Sequence, residues 1–362
     1  MKISVLTEKL KRGLGVAEKI IASKSTLPIL NNVLLKTSGG QVVLSATDLE
    51  MGVNYYLGGK VETDGAITAP GRVLLNFVNS LSDEKVLLET KDNTLLINTD
   101  KSEADLNGIS ADDFPIIPEV KGEDVFEIGG SDLKAAIGQV AFAASFDESR
   151  PILTGVYFIV DKQVKLVATD SYRLAEKTIS AAVKNPAKFI VPIKTIQELH
   201  RVISGNEKVV VVLSSNQVMF KLPDMELTSR IIEGEYPDYE QVIPKNLKTT
   251  ATFATHELLN VVKAASFFAR EDAHNIQMSF SDKGVEVTAT SSQLGKFRSS
   301  VIGTVSGESV EISFNARYLT DALSNVASDS VTMQLAGKLS PGLIRPEADK
   351  SGVTYIIMPL KS

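Results

Sequence analysis

The sequence predicts an α+β chain of three similar domains, each with two helices packed on antiparallel sheets, spanning residues 1–121, 122–245 and 246–362. Two landmarks that recur with one period, and short alternating apolar runs between them, carry this prediction. The segments Leu44-Ser45-Ala46-Thr47-Asp48, Leu166-Val167-Ala168-Thr169-Asp170 and Val287-Thr288-Ala289-Thr290-Ser291 place Ala46, Ala168 and Ala289 at steps of 122 and 121 residues. Pro70, Pro192 and Asn315, each opening a helical pattern, keep steps of 122 and 123. A repeat of this length is a domain in size. It can bury its own core and is too long for a solenoid unit of roughly 20 to 50 residues.

Each repeat is expected to open with a helix capped by Thr7, Ser131 or Thr255, ahead of Leu10, Leu133 and Leu258. A Ser or Thr hydroxyl there can accept an orphan helix N–H. Short strands follow at residues 32–36, 156–160 and 276–280, then a second strand ending in the Ala-Thr marker. The next helix carries one apolar stripe: Val73, Leu74, Phe77, Val78 and Leu81 in the first repeat, Ile193, Ile196, Leu199, Val202 and Ile203 in the second. Strands resume at residues 85–89, 208–213 and 330–335. The order helix, strands, helix, strands is itself nearly a duplication, so the chain reads as six half-units. Both helices of a domain should lie on one face of its sheets. Repeated with constant rotation, such domains form an arc with complementary ends, which two copies can close head to tail.

Zero cysteines exclude a disulfide framework, a thiolate nucleophile and thiolate metal ligands. No run approaches the roughly 18 apolar residues of a membrane span, and charges follow Met1–Thr7 at once. The expectation is a soluble, cytoplasmic protein with no membrane partner. The net charge of −6 speaks superficially against a nucleic-acid partner, but net charge says nothing about where charges sit. Taking the opening helices as residues 7–21 and 255–270, the six helices together carry +5 and the remainder −11. Singly, each Lys or Arg is explained as solvated helix surface. Jointly they suggest a surface for a polyanion, with loose, salt-sensitive and sequence-independent contacts.

Catalytic constellations fail one by one. His200, His256 and His274 have no metal-ligand spacing. Ser131-Asp132-Leu133-Lys134 fits an acyl-transfer S-x-x-K pattern, yet Thr7 and Thr255 share its register, so a helix cap explains all three. Gly13-Leu14-Gly15 lies inside a helix pattern and not after a strand, and Asp48, Asp170 and Ser291 suit a turn. No enzyme activity, cofactor or metal is expected.

Four motifs on this frame give a resemblance: Thr26-Leu27-Pro28-Ile29-Leu30, Ala168-Thr169-Asp170-Ser171-Tyr172-Arg173-Leu174-Ala175, Tyr236-Pro237-Asp238-Tyr239 and Tyr355-Ile356-Ile357-Met358-Pro359-Leu360. The chain resembles the bacterial DNA polymerase III β subunit, the processivity sliding clamp, over essentially its whole length. That resemblance implies the DNA clamp fold, closed into a ring as a head-to-tail homodimer around double-stranded DNA. It also implies a tether, itself not an enzyme, for the DNA polymerase III alpha subunit, the clamp loader and other proteins carrying clamp-binding peptides. Carried over residue by residue, the peptide cleft would be lined by Leu153, Thr169, Tyr172, Arg173, Leu174, Pro237, Val242, Ile356, Met358, Pro359 and Leu360. The DNA-facing candidates are Lys11, Arg12, Lys24, Arg72, Arg150, Lys194 and Arg201, with Lys24 where the family carries arginine. Leu106, Phe267 and Phe268 fall at the implied dimer interface. The alternative is a peptide-binding scaffold that does not encircle DNA. A core role explains Leu153 and Leu174 as well as a cleft does, but it explains the apolar tail poorly, because a terminus frays unless it docks.

Overall fold

The computed structural model describes residues 1–21, 27–271, 273–347 and 352–360. Among these, a half-unit of strand, helix and three strands recurs through the chain. The first runs Lys2–Leu6, helix α1 (Thr7–Ile20), Asn32–Ser38, Gln41–Thr47 and Met51–Tyr56. The second places α2 (Gly71–Ser80) between Ala66–Pro70 and the strands Lys85–Lys91, Thr94–Asn98 and Glu103–Asn107. Helices α3 (Gly130–Val140), α4 (Ile193–Val202), α5 (Thr255–Phe268) and α6 (Ala316–Ser324) repeat the pattern.

A strand, unforeseen in the sequence, thus runs directly into each opening helix, and this corrects the expected caps. Leu6 and Ala254 hold the N-cap positions of α1 and α5, with no side-chain cap bond. The Thr7 and Thr255 hydroxyls are buried without a hydrogen-bond partner. Their backbone N–H groups donate instead to the carbonyls of Glu84 (2.9 Å) and Asp329 (2.8 Å), and that of Ser131 donates to Gly205 (2.9 Å). Where strand meets helix with no turn between, a neighbouring backbone carbonyl takes an orphan donor that a cap would otherwise serve. Asn315 does cap α6, its Oδ1 accepting from the Arg317 N–H at 2.9 Å.

The described residues fall into two compact units, residues 1–131 with 201–231, and residues 132–200 with 232–362. The cause is sheet continuity across repeats. In the first unit the strand Met51–Tyr56 pairs antiparallel with Met225–Arg230, setting Gly52 opposite Thr228. In the second, Arg173–Ile179 pairs with Val353–Ile357, setting Leu174 opposite Ile356. The first unit also holds a five-stranded sheet with Glu103–Asn107 at its edge; the second holds a four-stranded sheet with Gly295–Val301 at its edge.

Helix α1 packs on α2 and on the strands Gln41–Thr47 and Met51–Tyr56, burying Leu10, Leu14, Ala17 and Ile20. Each large aliphatic side chain so buried contributes about 1.5–3 kcal/mol. Gly13 permits the approach, since a Cβ there would lie 2.9 Å from the Tyr55 ring. Its presence is a packing requirement. Helix α5 ends at Phe268, so Arg270 lies beyond it and the helices carry +4 against −10 elsewhere, a smaller asymmetry than the sequence windows implied. Among the described residues, no helix is long and apolar enough to cross a membrane, and no His, Cys, Asp and Glu cluster fits a metal ion.

Candidate peptide cleft and polyanion-facing residues

The turn Thr169–Arg173 organises the cleft. The Thr169 hydroxyl donates to the Arg173 carbonyl at 2.6 Å and accepts from the Ser171 N–H at 3.1 Å. Asp170 Oδ1 accepts from the N–H groups of Tyr172 and Arg173, both at 2.9 Å. Ser171 takes a left-handed φ of 76°. Asp170 is thereby a turn residue, with its acceptor oxygens committed to the backbone and to Arg173.

Arg173 is held from four sides. Its Nε donates to Asp170 Oδ2 at 3.1 Å, and its Nη1 donates to Asp321. The guanidinium carbon lies 5.3 Å from the Phe142 ring centre and 4.7 Å from that of Tyr318. Ion pairs and ring faces together fix the fork of a planar cation far better than they would a lysine. Burial raises the Tyr318 hydroxyl pKa, and Asp170 adds to it, so this ring keeps its proton.

Beside Arg173 opens a cavity of about 180 Å³. Leu153, Thr169, Arg173, Leu174, Pro237, Val242, Ile356 and Met358, eight of the eleven residues carried over for the cleft, line it. Ser171, Asp238 and Tyr239 also line it and were missed, although all three sit inside quoted motifs. Leu174, Tyr239 and Ile356 of this lining belong to a buried cluster with Val167 and Leu343. The Tyr239 hydroxyl donates to Glu176 at 2.7 Å; burial first, then this carboxylate, drives its pKa far up, so it stays a donor. Tyr157 and Tyr236 pack against that cluster, stacked with ring centres 4.6 Å apart.

Tyr172, Pro359 and Leu360 do not line the cavity. Tyr172 is 58% exposed at the rim, its ring stacked 6.3 Å from Tyr318. The tail docks through its backbone: the Met358 N–H donates to the Tyr172 carbonyl at 2.9 Å and that of Leu360 to the Ser313 carbonyl at 2.8 Å. Asp321, 148 residues from Arg173 in the chain, left no signal in the sequence.

The basic candidates are differently placed. Arg12 and Lys194 are exposed. Lys11 donates to the Leu81 carbonyl at 2.8 Å, and Arg72 lies 3.4 Å from Glu18. Arg201 reaches the carbonyls of Gly15 and Val16 at 3.4 Å, while Arg150 donates to Ser171 at 2.9 Å. Lys24 lies outside the described residues. Leu106 sits half-buried on the edge strand Glu103–Asn107. Phe267 is 56% exposed, and Phe268 stacks on Phe297 of the other edge strand at 5.6 Å.

The chain has relatives along its whole length. Family models of the DNA polymerase III beta subunit match in order: the N-terminal domain over residues 1–118, the central domain over 127–238 and the C-terminal domain over 240–361. The beta sliding clamp of Staphylococcus aureus is 32% identical over 358 residues, 95% of each chain. The crystal structure of the Bacillus subtilis DNA polymerase sliding clamp superposes with a TM-score of 0.95 at 28% identity, over 100% of this chain and 99% of that one. The Pseudomonas aeruginosa DNA polymerase III subunit beta does so with 0.94 at 27%, over all of both chains. The chain belongs to the DNA polymerase III beta subunit family, the beta sliding clamps.

Proposed function

We propose that the protein is a cytoplasmic DNA sliding clamp that encircles duplex DNA as a homodimeric ring and tethers the replicative polymerase alpha subunit to it. The observation that carries this reading is the cleft: a chain related to sliding clamps over its whole length holds an apolar cavity beside a pinned arginine, walled by its own docked tail. Such a cavity suits the aliphatic or aromatic anchor of a linear peptide from a polymerase, a clamp loader or another client. Topological linkage needs no tight DNA contact, and a tethered polymerase meets the primer end at high effective concentration. The three repeats act as domains 1–121, 122–245 and 246–362. The dimer closes by bringing the edge strand of Leu106 against the edge strand Gly295–Val301 of a second copy, beside Phe267 and Phe268 at the end of α5, which removes two unpaired edges.

Duplex contacts fall to Lys11, Arg12, Lys24, Arg72, Arg150, Lys194 and Arg201, and binding should weaken with salt. Loader and ATP should place the protein on nicked circular DNA, from which linearisation releases it. Equal retention on linear and circular DNA overturns the reading. The double variant Lys11→Glu, Arg72→Glu should lose retention but keep peptide binding; a scaffold acting only through its cleft would show no change in partner function.

A further inference from the structure

The turn that builds the cleft is repeated almost atom for atom in the first unit. Thr47 donates to the Met51 carbonyl at 2.8 Å and accepts from the Leu49 N–H at 3.0 Å. Asp48 Oδ1 accepts from the N–H groups of Glu50 (3.1 Å) and Met51 (2.8 Å). Leu49 takes φ 77° where Ser171 takes 76°. The Arg230 N–H donates to the Glu50 carbonyl at 3.0 Å, as that of Met358 does to Tyr172 at 2.9 Å. Ile116 and Ile117 line a cavity here as Asp238 and Tyr239 line the first, and its volume is about 240 Å³ against about 180 Å³.

We propose that this cavity is a second linear-peptide cleft, one that takes a short aliphatic side chain together with a single carboxylate. The proposal rests on reading the Leu174 cavity as a peptide cleft. The chemistry of the ligand follows from the exchanged residues. Gly52 stands where Leu174 does, and Ile117 moves in until its side chain lies 3.0 Å from where a Cβ on Gly52 would be, leaving an aliphatic floor. Thr228 replaces Ile356, and exposed Arg230 replaces Met358, so one end becomes hydroxylic and cationic and complements an anion. Glu50, at the position of Tyr172, disfavours a second acidic group. Leu49 and Ile116, 48% and 90% exposed, offer an apolar mouth.

The test uses the full-length protein and a fluorescein-labelled peptide amide, Ser-Gly-Leu-Val-Gly-Asp, followed by anisotropy. Saturable binding is expected to the parent and to Met358→Asp, and at least tenfold weaker binding to Arg230→Glu and to Leu49→Asn, whose asparagine suits the left-handed backbone. Both altered residues are exposed, and an unchanged melting curve verifies the fold. Loss of binding in Met358→Asp with none in Arg230→Glu assigns the peptide to the first cleft and overturns the proposal, as does the absence of saturable binding. A polymerase-derived clamp-binding peptide titrated against the same proteins tests the first cleft separately. If Met358→Asp leaves its affinity unchanged, the underlying reading fails, whatever the second probe does.

Discussion

The Thr169–Arg173 turn and the Thr47–Met51 turn share one backbone and one set of hydrogen bonds, yet they present different surfaces. At the first, Leu174, Ile356 and Met358 make an aliphatic wall beside Arg173; at the second, Gly52, Thr228 and Arg230 stand at those places. The Thr and Asp of each turn satisfy exposed and partly buried backbone donors, and a change at either leaves those donors without that partner. The lining side chains carry no such duty and are free to diverge. Duplication supplied the scaffold, and substitution on it supplies specificity.

The largest break in that comparison is removal of residues 358–362. It deletes the Met358 wall and the bond to the Tyr172 carbonyl, for which the first unit, where Arg230 is internal, has no counterpart operation. Binding of a polymerase-derived peptide should fall below detection by calorimetry. The melting temperature should shift by only a few degrees, because each kcal/mol lost corresponds to roughly 2–4 °C or less in a chain of this size. Next comes Arg173→Ala. Asp170, its side chain 15% exposed, would lose its guanidinium partner. A loss of about 3 kcal/mol in urea unfolding is expected, with a coupling above about 0.5 kcal/mol to Asp321→Ala in a double-mutant cycle.

A smaller effect sharpens the comparison from the other side. Gly52→Ala puts a methyl 3.0–3.2 Å from three Ile117 side-chain atoms. Ile117 can shift by the few tenths of an ångström required, so the cost should stay near about 1 kcal/mol. In an Ile117→Val background it should shrink, because the Cδ1 atom at 3.1 Å is gone. Equal costs in the two backgrounds would show that Gly52 is kept for another reason.

Much of this is legible in the sequence. The step of about 122 residues from Pro70 to Pro192 to Asn315 located α2, α4 and α6, because a proline or a capping asparagine marks a helix start chemically. The strands Lys2–Leu6 and Thr249–Ala254 were not legible, because each enters its helix without a turn residue. For the same reason Thr7 and Thr255 imitated caps. The end of α5 at Phe268 carries no glycine or proline, so Arg270 was assigned to the helix. In the cleft, residues in local motifs could be carried over. Asp321 and Phe142 could not, since only folding brings them to Arg173.

The smallest effect separates the repeats by pH. His200 and His274 lie in the second unit, and residues 1–121 contain no histidine. Burial lowers the His200 pKa, with Lys134 adding to it; burial lowers that of His274, with Arg317 and Arg270 adding to it. Each imidazole is held neutral in the folded chain more firmly than in the unfolded one. The unfolded chain therefore takes up these protons first as pH falls below about 6.5, and stability fully present above that value declines until the folded pKa is passed. Urea midpoints measured from pH 7.5 to 5.5 should fall, and the double variant His200→Gln, His274→Gln should flatten that slope. A slope unchanged in the variant would assign the pH dependence to carboxylates instead. A hydrogen-exchange readout should find the decline in the second unit's strands, leaving the first unit's five-stranded sheet unaffected over the same range.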